Sequence, residues 1–489
     1  MEWMSRHLKS TLAITLLCAG VLLPVREARA VCKEPLPAVD LHALDSLAIA
    51  DPVAAERQAR AALETTRDPA RRAQLHAILA DAHNTTGEDD ASLQDIREGR
   101  AQLGLAGPFE GAERVGLRLA LVEADAAHNR QEMLAAVSGL EQWREVAQRQ
   151  PIGRACLLLV RSRVLSRLGM HEQSAREGLE AHAIATQSGS EDAISETHFQ
   201  LANAFRRAGM FDQAIPHVDA SIALERSREQ PAALSSALYL KANILADSSR
   251  TSEARDVMLE SRRISMAQDD RISVAFENQG LCESEMLLGN LDTARKLCSE
   301  SRLAFAKAGR DDMVAVTEVL EARTELALKR PAKALATLER VLRDEGASMP
   351  PFSIARAWRV RADAHDALGQ SSEAVKALRK SLELEEATQQ LQRSLAAALT
   401  LAQFESQAQE VREAQLNREV RERREQASAA AASRQKAWVL VGASVVIIGL
   451  LLALLAASRR NARVLRRQEA LLKAASEISP DAIALLTSD

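Results

Sequence analysis

Aromatic side chains are scarce in this sequence: eight Phe, four Trp and a single Tyr in 489 residues. Glycine and proline are scarce too, at 20 and 13. A sandwich, a barrel or a doubly wound sheet needs strand runs punctuated by Gly/Pro turns, and this composition argues against all three. A net charge of -4 gives no electrostatic case for a nucleic-acid partner. The five cysteines contain no C-x-x-C pair, so neither a zinc ribbon nor a thioredoxin-like motif is supported. There is no G-x-x-x-x-G-K-[ST], no G-x-G-x-x-G opening a helix, no G-x-S-x-G and no H-E-x-x-H. The histidines are scattered; His76 and His83 can share a helix face but lack an acidic third ligand at a suitable spacing. The expectation is no enzyme on this chain, no cofactor and no metal.

What is present is apolar and small. The 47% hydrophobic fraction is mostly Ala, Leu and Val, the composition of an all-α protein whose helices pack closely on small residues. At the N-terminus, Arg6 and Lys9 precede the apolar run "TLAITLLCAGVLLPV", and Ala28-Arg29-Ala30 matches the small-x-small cleavage rule. Residues 1–30 read as a secretory signal peptide. Cys18 sits inside its apolar run and does not mark a lipoprotein. A second apolar run, residues 437–457, carries no charge and is long enough to cross a bilayer. Arg459, Arg460, Arg463, Arg466, Arg467 and Lys473 follow it, opposed before residue 475 only by Glu469. Cytoplasmic flanks carry such an excess, but "REVRERREQ" ahead of the run is basic too, so the signal peptide decides the orientation. The expected layout is residues 31–436 outside the cytoplasmic membrane (periplasmic in a two-membrane cell), one transmembrane helix at 437–457, and 458–489 inside. An exported compartment permits disulfides among Cys32, Cys156, Cys282 and Cys298.

The exported region repeats. "RLGMHEQS", "RAGMFDQA", "LLGNLDTA" and "ALGQSSEA" place Gly169, Gly209, Gly289 and Gly369 at multiples of 40, with Ser249 and Lys329 in the two vacant registers. Small residues recur with the same step: Ser162, Ala202, Ala242, Cys282, Ala322 and Ala362, then twelve further on Ser174, Ala214, Ala254, Ala294, Ala334 and Ala374. Seven beyond those stand Ala181, Ser221, Ser261, Ser301, Val341 and Ser381. Two antiparallel helices approach closely only where side chains are small, and these sites fall on facing stripes. One such hairpin cannot bury its apolar face alone, so the expected product is a stacked solenoid.

This pattern resembles the tetratricopeptide repeat: a small residue in the first helix, Gly before the turn and small residues at two sites in the second helix, here Ala202, Gly209, Ala214 and Ser221. The family usually repeats at 34, so the step of 40 requires longer helices or longer connections. The resemblance covers 155–388 well, and extends more weakly through 31–154 as divergent hairpins, eight or nine in all. It implies binding of extended peptides along the face made by first helices. The residues just after the small first-helix sites, Arg163, Asn203, Asn243, Glu283, Arg323 and Asp363, then form the candidate groove, joined by Tyr239 one turn before Asn243. Asn can serve a peptide backbone as donor and acceptor. The plain alternative is a line of solvated polar side chains. Cys282 and Cys298 take facing positions in one hairpin, either as a disulfide or as two buried thiols.

Residues 375–436 contain neither Gly nor Pro. We expect one long helix from solenoid to membrane, segment 389–436, with an intermittent heptad at Leu384, Leu391, Ala398, Leu395, Ala402, Phe404 and Val411. It either pairs with its copy in a homodimer or stands alone on charge pairs. Past the span, Ser479-Pro480-Asp481 should break the helix, and "AIALLTSD" reads as a short strand. A helix, then "SPDAI", then a strand resembles the opening of a PAS sensor domain. The whole layout resembles the input half of one-span bacterial signalling proteins, whose outputs are commonly diguanylate cyclases or histidine kinases; no such signature is present here, so the expectation is a receptor lacking its output, in which a longer form would carry the enzyme. The second reading is a membrane-tethered scaffold that assembles envelope complexes.

Overall fold

The computed structural model describes residues 36–86, 88–129, 132–343 and 349–478. The signal-peptide segment, Cys32 and residues 479–489, with the expected break and strand, lie outside the described residues. The described chain is helical throughout, with no strand. After a 3-10 turn, Val39–Leu41, come α1 (His42–Ala50), α2 (Pro52–Thr65), α3 (Pro69–Thr86), α4 (Asp89–Ala106), α5 (Ala112–Asn129), α6 (Met133–Glu141) and the short α7 (Arg144–Gln148).

Six hairpins follow in strict phase. They are α8 (Pro151–Arg167) with α9 (His171–Ser188), α10 (Glu191–Arg207) with α11 (Phe211–Ser227), and α12 (Pro231–Asp247) with α13 (Thr251–Ala267). Then come α14 (Arg271–Leu287) with α15 (Leu291–Lys307), α16 (Asp311–Ala327) with α17 (Pro331–Arg343), and α18 (Pro351–Ala367) with α19 (Ser371–Ile478). The period of 40 has a simple origin: helices of mostly 17 residues alternate with three-residue connections. Pro opens α8, α12, α17 and α18, where its missing N–H costs nothing. Ser190 and Asp270 cap α10 and α14 through their side-chain oxygens.

The turns follow the same clock. Gly169, Gly209, Ser249, Gly289, Lys329 and Gly369 all hold positive φ, and so do Gly189, Glu229, Asp269 and Gly309 between hairpins. Each intra-hairpin turn closes with an N–H reaching back five residues, as in Met170 to Leu165 and Arg250 to Leu245, at 2.9 and 2.8 Å. The small second-helix sites do more than permit close approach. The hydroxyls of Ser261, Ser301 and Ser381 each donate to a first-helix carbonyl, of Ser235, Ala275 and Ala355, at 2.8, 2.8 and 2.9 Å.

The leading helices bury a polar cluster. Arg118 on α5 donates through Nε to Asp81 at 2.7 Å and through Nη1 to Asp45 at 2.8 Å. His76 and His83, read as lacking an acidic third ligand at a suitable spacing, share a carboxylate from the next helix without forming a metal-holding group. Asp95, from the next helix, meets His76 Nδ1 at 2.9 Å and His83 Nδ1 at 2.8 Å. The partner comes from across a hairpin, which a search along one helix face does not reach.

The long helix begins inside the last hairpin, at Ser371, and no break separates it from the 389–436 segment. The chain divides into two units, residues 1–400 and 401–489. In the second, the described residues continue as helix and include one stretch long and apolar enough to cross a membrane, with Trp438, Leu440, Ile447 and Leu454 all exposed.

Candidate functional site

First helices of neighbouring hairpins touch one another along the solenoid, α8 with α10, α10 with α12, α12 with α14, α14 with α16 and α16 with α18. The side where successive helices lie closest is the inner side of such a stack.

The residues of the sequence-derived line play different parts. Arg163 is tied to Asp125 on α5 at 2.7 Å and reaches Glu196 on α10 at 3.5 Å. Glu283 on α14 accepts from Arg323 on α16 at 2.7 Å and from Arg356 on α18 at 2.6 Å. Burial works against the Glu283 charge, yet the guanidiniums of Arg356 and Arg323 overcome it and hold the carboxyl down to about 2. These three candidates therefore clamp neighbouring repeats together. Asn203 is buried, Asn243 half-buried, and Asp363 exposed.

Between the two ion-pair systems lies a different stretch. Tyr239, only 6% exposed, has no hydrogen-bond partner for its hydroxyl; Asn243 lies beside it without closing a bond. Desolvation pushes the phenol up to about 12, so it stays a neutral donor. One repeat on, in the same register, Gln279 donates to Thr317 at 2.9 Å but leaves its carbonyl oxygen without a partner. Asn278 Oδ1 and Arg206 Nε are unpartnered too, although Arg206 Nη1 holds Asp247 at 2.6 Å. A buried polar atom without a partner is costly, and Arg206 Nε, Tyr239 Oη and Gln279 Oε1, on three successive first helices, are equipped to bond an incoming backbone. Gln279 lies outside the line of positions just after each small site; it stands three before Cys282, the register of Tyr239 relative to Ala242.

Cys282 and Cys298 are joined in a disulfide, with Cα atoms 5.4 Å apart. Cys156 is disulfide-bonded as well. The histidines are less scattered than their spacing suggests. His182, His198 and His217, from α9, α10 and α11, gather with ring centroids 4.3 to 6.2 Å apart. Burial lowers the pKa of all three and, with the neighbouring rings, takes His198 to about 4. Among the described residues, no group of three or more His, Cys, Asp or Glu is arranged to hold a metal ion.

A tetratricopeptide repeat profile matches residues 355–388. No curated protein sequence matches the chain. Among solved structures, a Rap protein complexed with Competence and Sporulation Factor is 13% identical, with a TM-score of 0.52 over 72% of this chain and 97% of that one. Aspartyl phosphate phosphatase F from Bacillus subtilis is 13% identical, with a TM-score of 0.46 over 76% and 96%. The quorum sensor NprR from B. thuringiensis is 12% identical, with a TM-score of 0.43 over 63% and 97%. The fold is thus a tetratricopeptide-like helical solenoid, and among the described residues one helix beyond it is long and apolar enough to span a membrane.

Proposed function

We propose that this chain is the input module of a one-span membrane signalling protein. Residues 31–436 are exported, the inner wall of the solenoid binds an extended peptide or protein segment, and α19 carries the consequence through the membrane at 437–457. The C-terminal residues lie in the cytoplasm. A second copy pairing along α19 beyond residue 400 belongs to the same reading.

The observation that carries the binding half is the set of buried, unpartnered polar atoms on three successive first helices: Arg206 Nε, Tyr239 Oη and Gln279 Oε1. They offer donors and acceptors one repeat apart, which suits the alternating N–H and C=O of an extended backbone. The signalling half is supported by the absence of any break between Ser371 and Ile478. A continuous helix transmits rotation or displacement where a Gly-rich linker would dissipate it.

The test is a displayed random-peptide selection against the full-length chain in lipid nanodiscs. Selected binders should lose about tenfold in affinity on Gln279→Ala or Asn243→Ala, each removing about one hydrogen bond. Binders indifferent to both substitutions, or no binders at all, would remove the groove from this reading.

A further inference from the structure

The second helices of the first five hairpins end at residues 188, 227, 267, 307 and 343, but that of the sixth continues to Ile478. Its opening turns pack as a hairpin partner should: Ser381 donates to Ala355, and Arg359 meets Glu385 at 3.0 Å. Eighteen residues past Ser381, roughly 27 Å along the helix axis, Leu399 is buried again, at 4% exposure. It joins a cluster built by the opposite end of the solenoid: Leu121 and Ala124 of α5, Val137 of α6, and Cys156, Val160 and Val164 of α8. Leu395 and Ala396 pack against that cluster as well. The three contact residues occupy one helix face, while Leu391, Ala397, Ala398 and Leu401 are exposed. Arg163, at one end of the candidate groove, stands between Val160 and Val164 on α8. The last helix therefore packs on the α5–α8 end of the solenoid, which also carries Arg163.

We propose that residues 391–400 are a displaceable internal ligand of the solenoid. The apolar face at α5 and α8 is a docking site for an amphipathic helix with anchors at i, i+1 and i+4, and in this conformation the chain's own helix fills it. A polypeptide presenting the same face competes for the site and frees the stretch of α19 that precedes the membrane span. This rests on the reading that the inner wall binds polypeptides, and it adds how occupancy is reported. Because the occupant and the candidate span belong to one helix, displacement needs no further relay. An intramolecular occupant also has a high effective concentration, so only a tight or abundant competitor displaces it.

The probe is a fluorescent synthetic peptide of residues 386–402, titrated against the full-length chain in lipid nanodiscs. The wild type should bind it weakly. The double variant Leu395→Glu, Leu399→Glu, which vacates the site, should bind it at least tenfold more tightly. The exposed-face variant Ala397→Glu should match the wild type, and a probe carrying both Glu substitutions should bind none of them. Hydrogen exchange of amides 395–400 in the wild type gives a second readout independent of any variant's folding: saturating probe should accelerate it. Equal affinities for wild type and double variant, or exchange unchanged by saturating probe, would overturn the proposal. Selected peptides that bind at Gln279 while this probe neither binds nor displaces would sink the internal-ligand proposal and leave the groove reading intact.

Discussion

Arg356 Nη2 sits 2.6 Å from Glu283 Oε1 although 73 positions separate them in the chain. The bond skips a whole hairpin, since Arg323 of the intervening repeat reaches the same oxygen at 2.7 Å. One carboxylate thus clamps three successive first helices.

Glu283→Gln should therefore destabilise the full chain in detergent by about 1–3 kcal/mol at pH 7, because two guanidiniums lose their common partner. The folded carboxyl lies at about 2, below its ordinary value of 4.5. Its contribution is present above about 4.5 and is lost as pH falls toward 2. Thermal melts should show wild type and variant converging across that window; a constant gap down to pH 2 would mean that the charge is not what holds the helices.

Glu277 presents the opposite case. It is 2% exposed, lies 2.5 Å from the Ser261 hydroxyl oxygen and accepts from Ser265 at 2.8 Å. Desolvation raises its carboxyl to about 7, against the lowering effect of those two hydroxyls. Its stabilising share is complete below the unfolded value near 4.5 and is lost as pH rises through about 7. Glu277→Gln should be nearly neutral at pH 5 and stabilising by on the order of 2 kcal/mol at pH 8. Melting temperatures at the two pH values decide it: a variant less stable than wild type at pH 8 contradicts the assignment.

The reach of the sequence stops where curvature begins. The step of 40, the small sites and the left-handed turn positions at Ser249 and Lys329 are legible, because each is dictated within a single hairpin by local sterics. The positions just after each small site are legible for the same reason. What they touch is not. Arg356 meets Glu283, and Leu399 meets the α8 cluster, only because successive hairpins are rotated, and no local pattern states by how much. A heptad reading of α19 put Leu395 toward a second copy of the chain; in the structure that residue packs on the chain's own first repeats. His182, His198 and His217 escaped notice because their spacings of 16 and 19 match helix-to-helix distances across turns, not one helix face.

The Cys282–Cys298 bridge closes a loop of sequence separation 16 between the two helices of one hairpin. Cross-linking a loop of this size contributes about 3 kcal/mol on the chain-entropy account. Cys282 fills the site occupied elsewhere by Ala202, Ala242 and Ala322, so Cys282→Ala introduces no misfit there. The double variant Cys282→Ala, Cys298→Ala should melt lower than wild type and lose that difference when both are measured in reductant. Two titratable thiols at these positions in the oxidised, unfolded wild type would show that the bridge does not form.

The intra-hairpin turns allow a paired test of backbone cost. Gly209 and Lys329 hold the same turn position with φ of 73° and 61°. A Cβ on Gly209 would meet nothing within 4 Å, so Gly209→Ala changes backbone preference and not packing. A side chain in the left-handed region costs roughly 1–2 kcal/mol, while Gly gives part of this back through the greater freedom of its unfolded chain. Gly209→Ala should therefore destabilise by about 1 kcal/mol, and Lys329→Gly should stabilise by about 0.5–1 kcal/mol. Denaturant midpoints of the two variants should move in opposite directions from wild type. Movement in the same direction would mean that Lys329 contributes through its side chain, and the turn register would then be set by something other than backbone conformation.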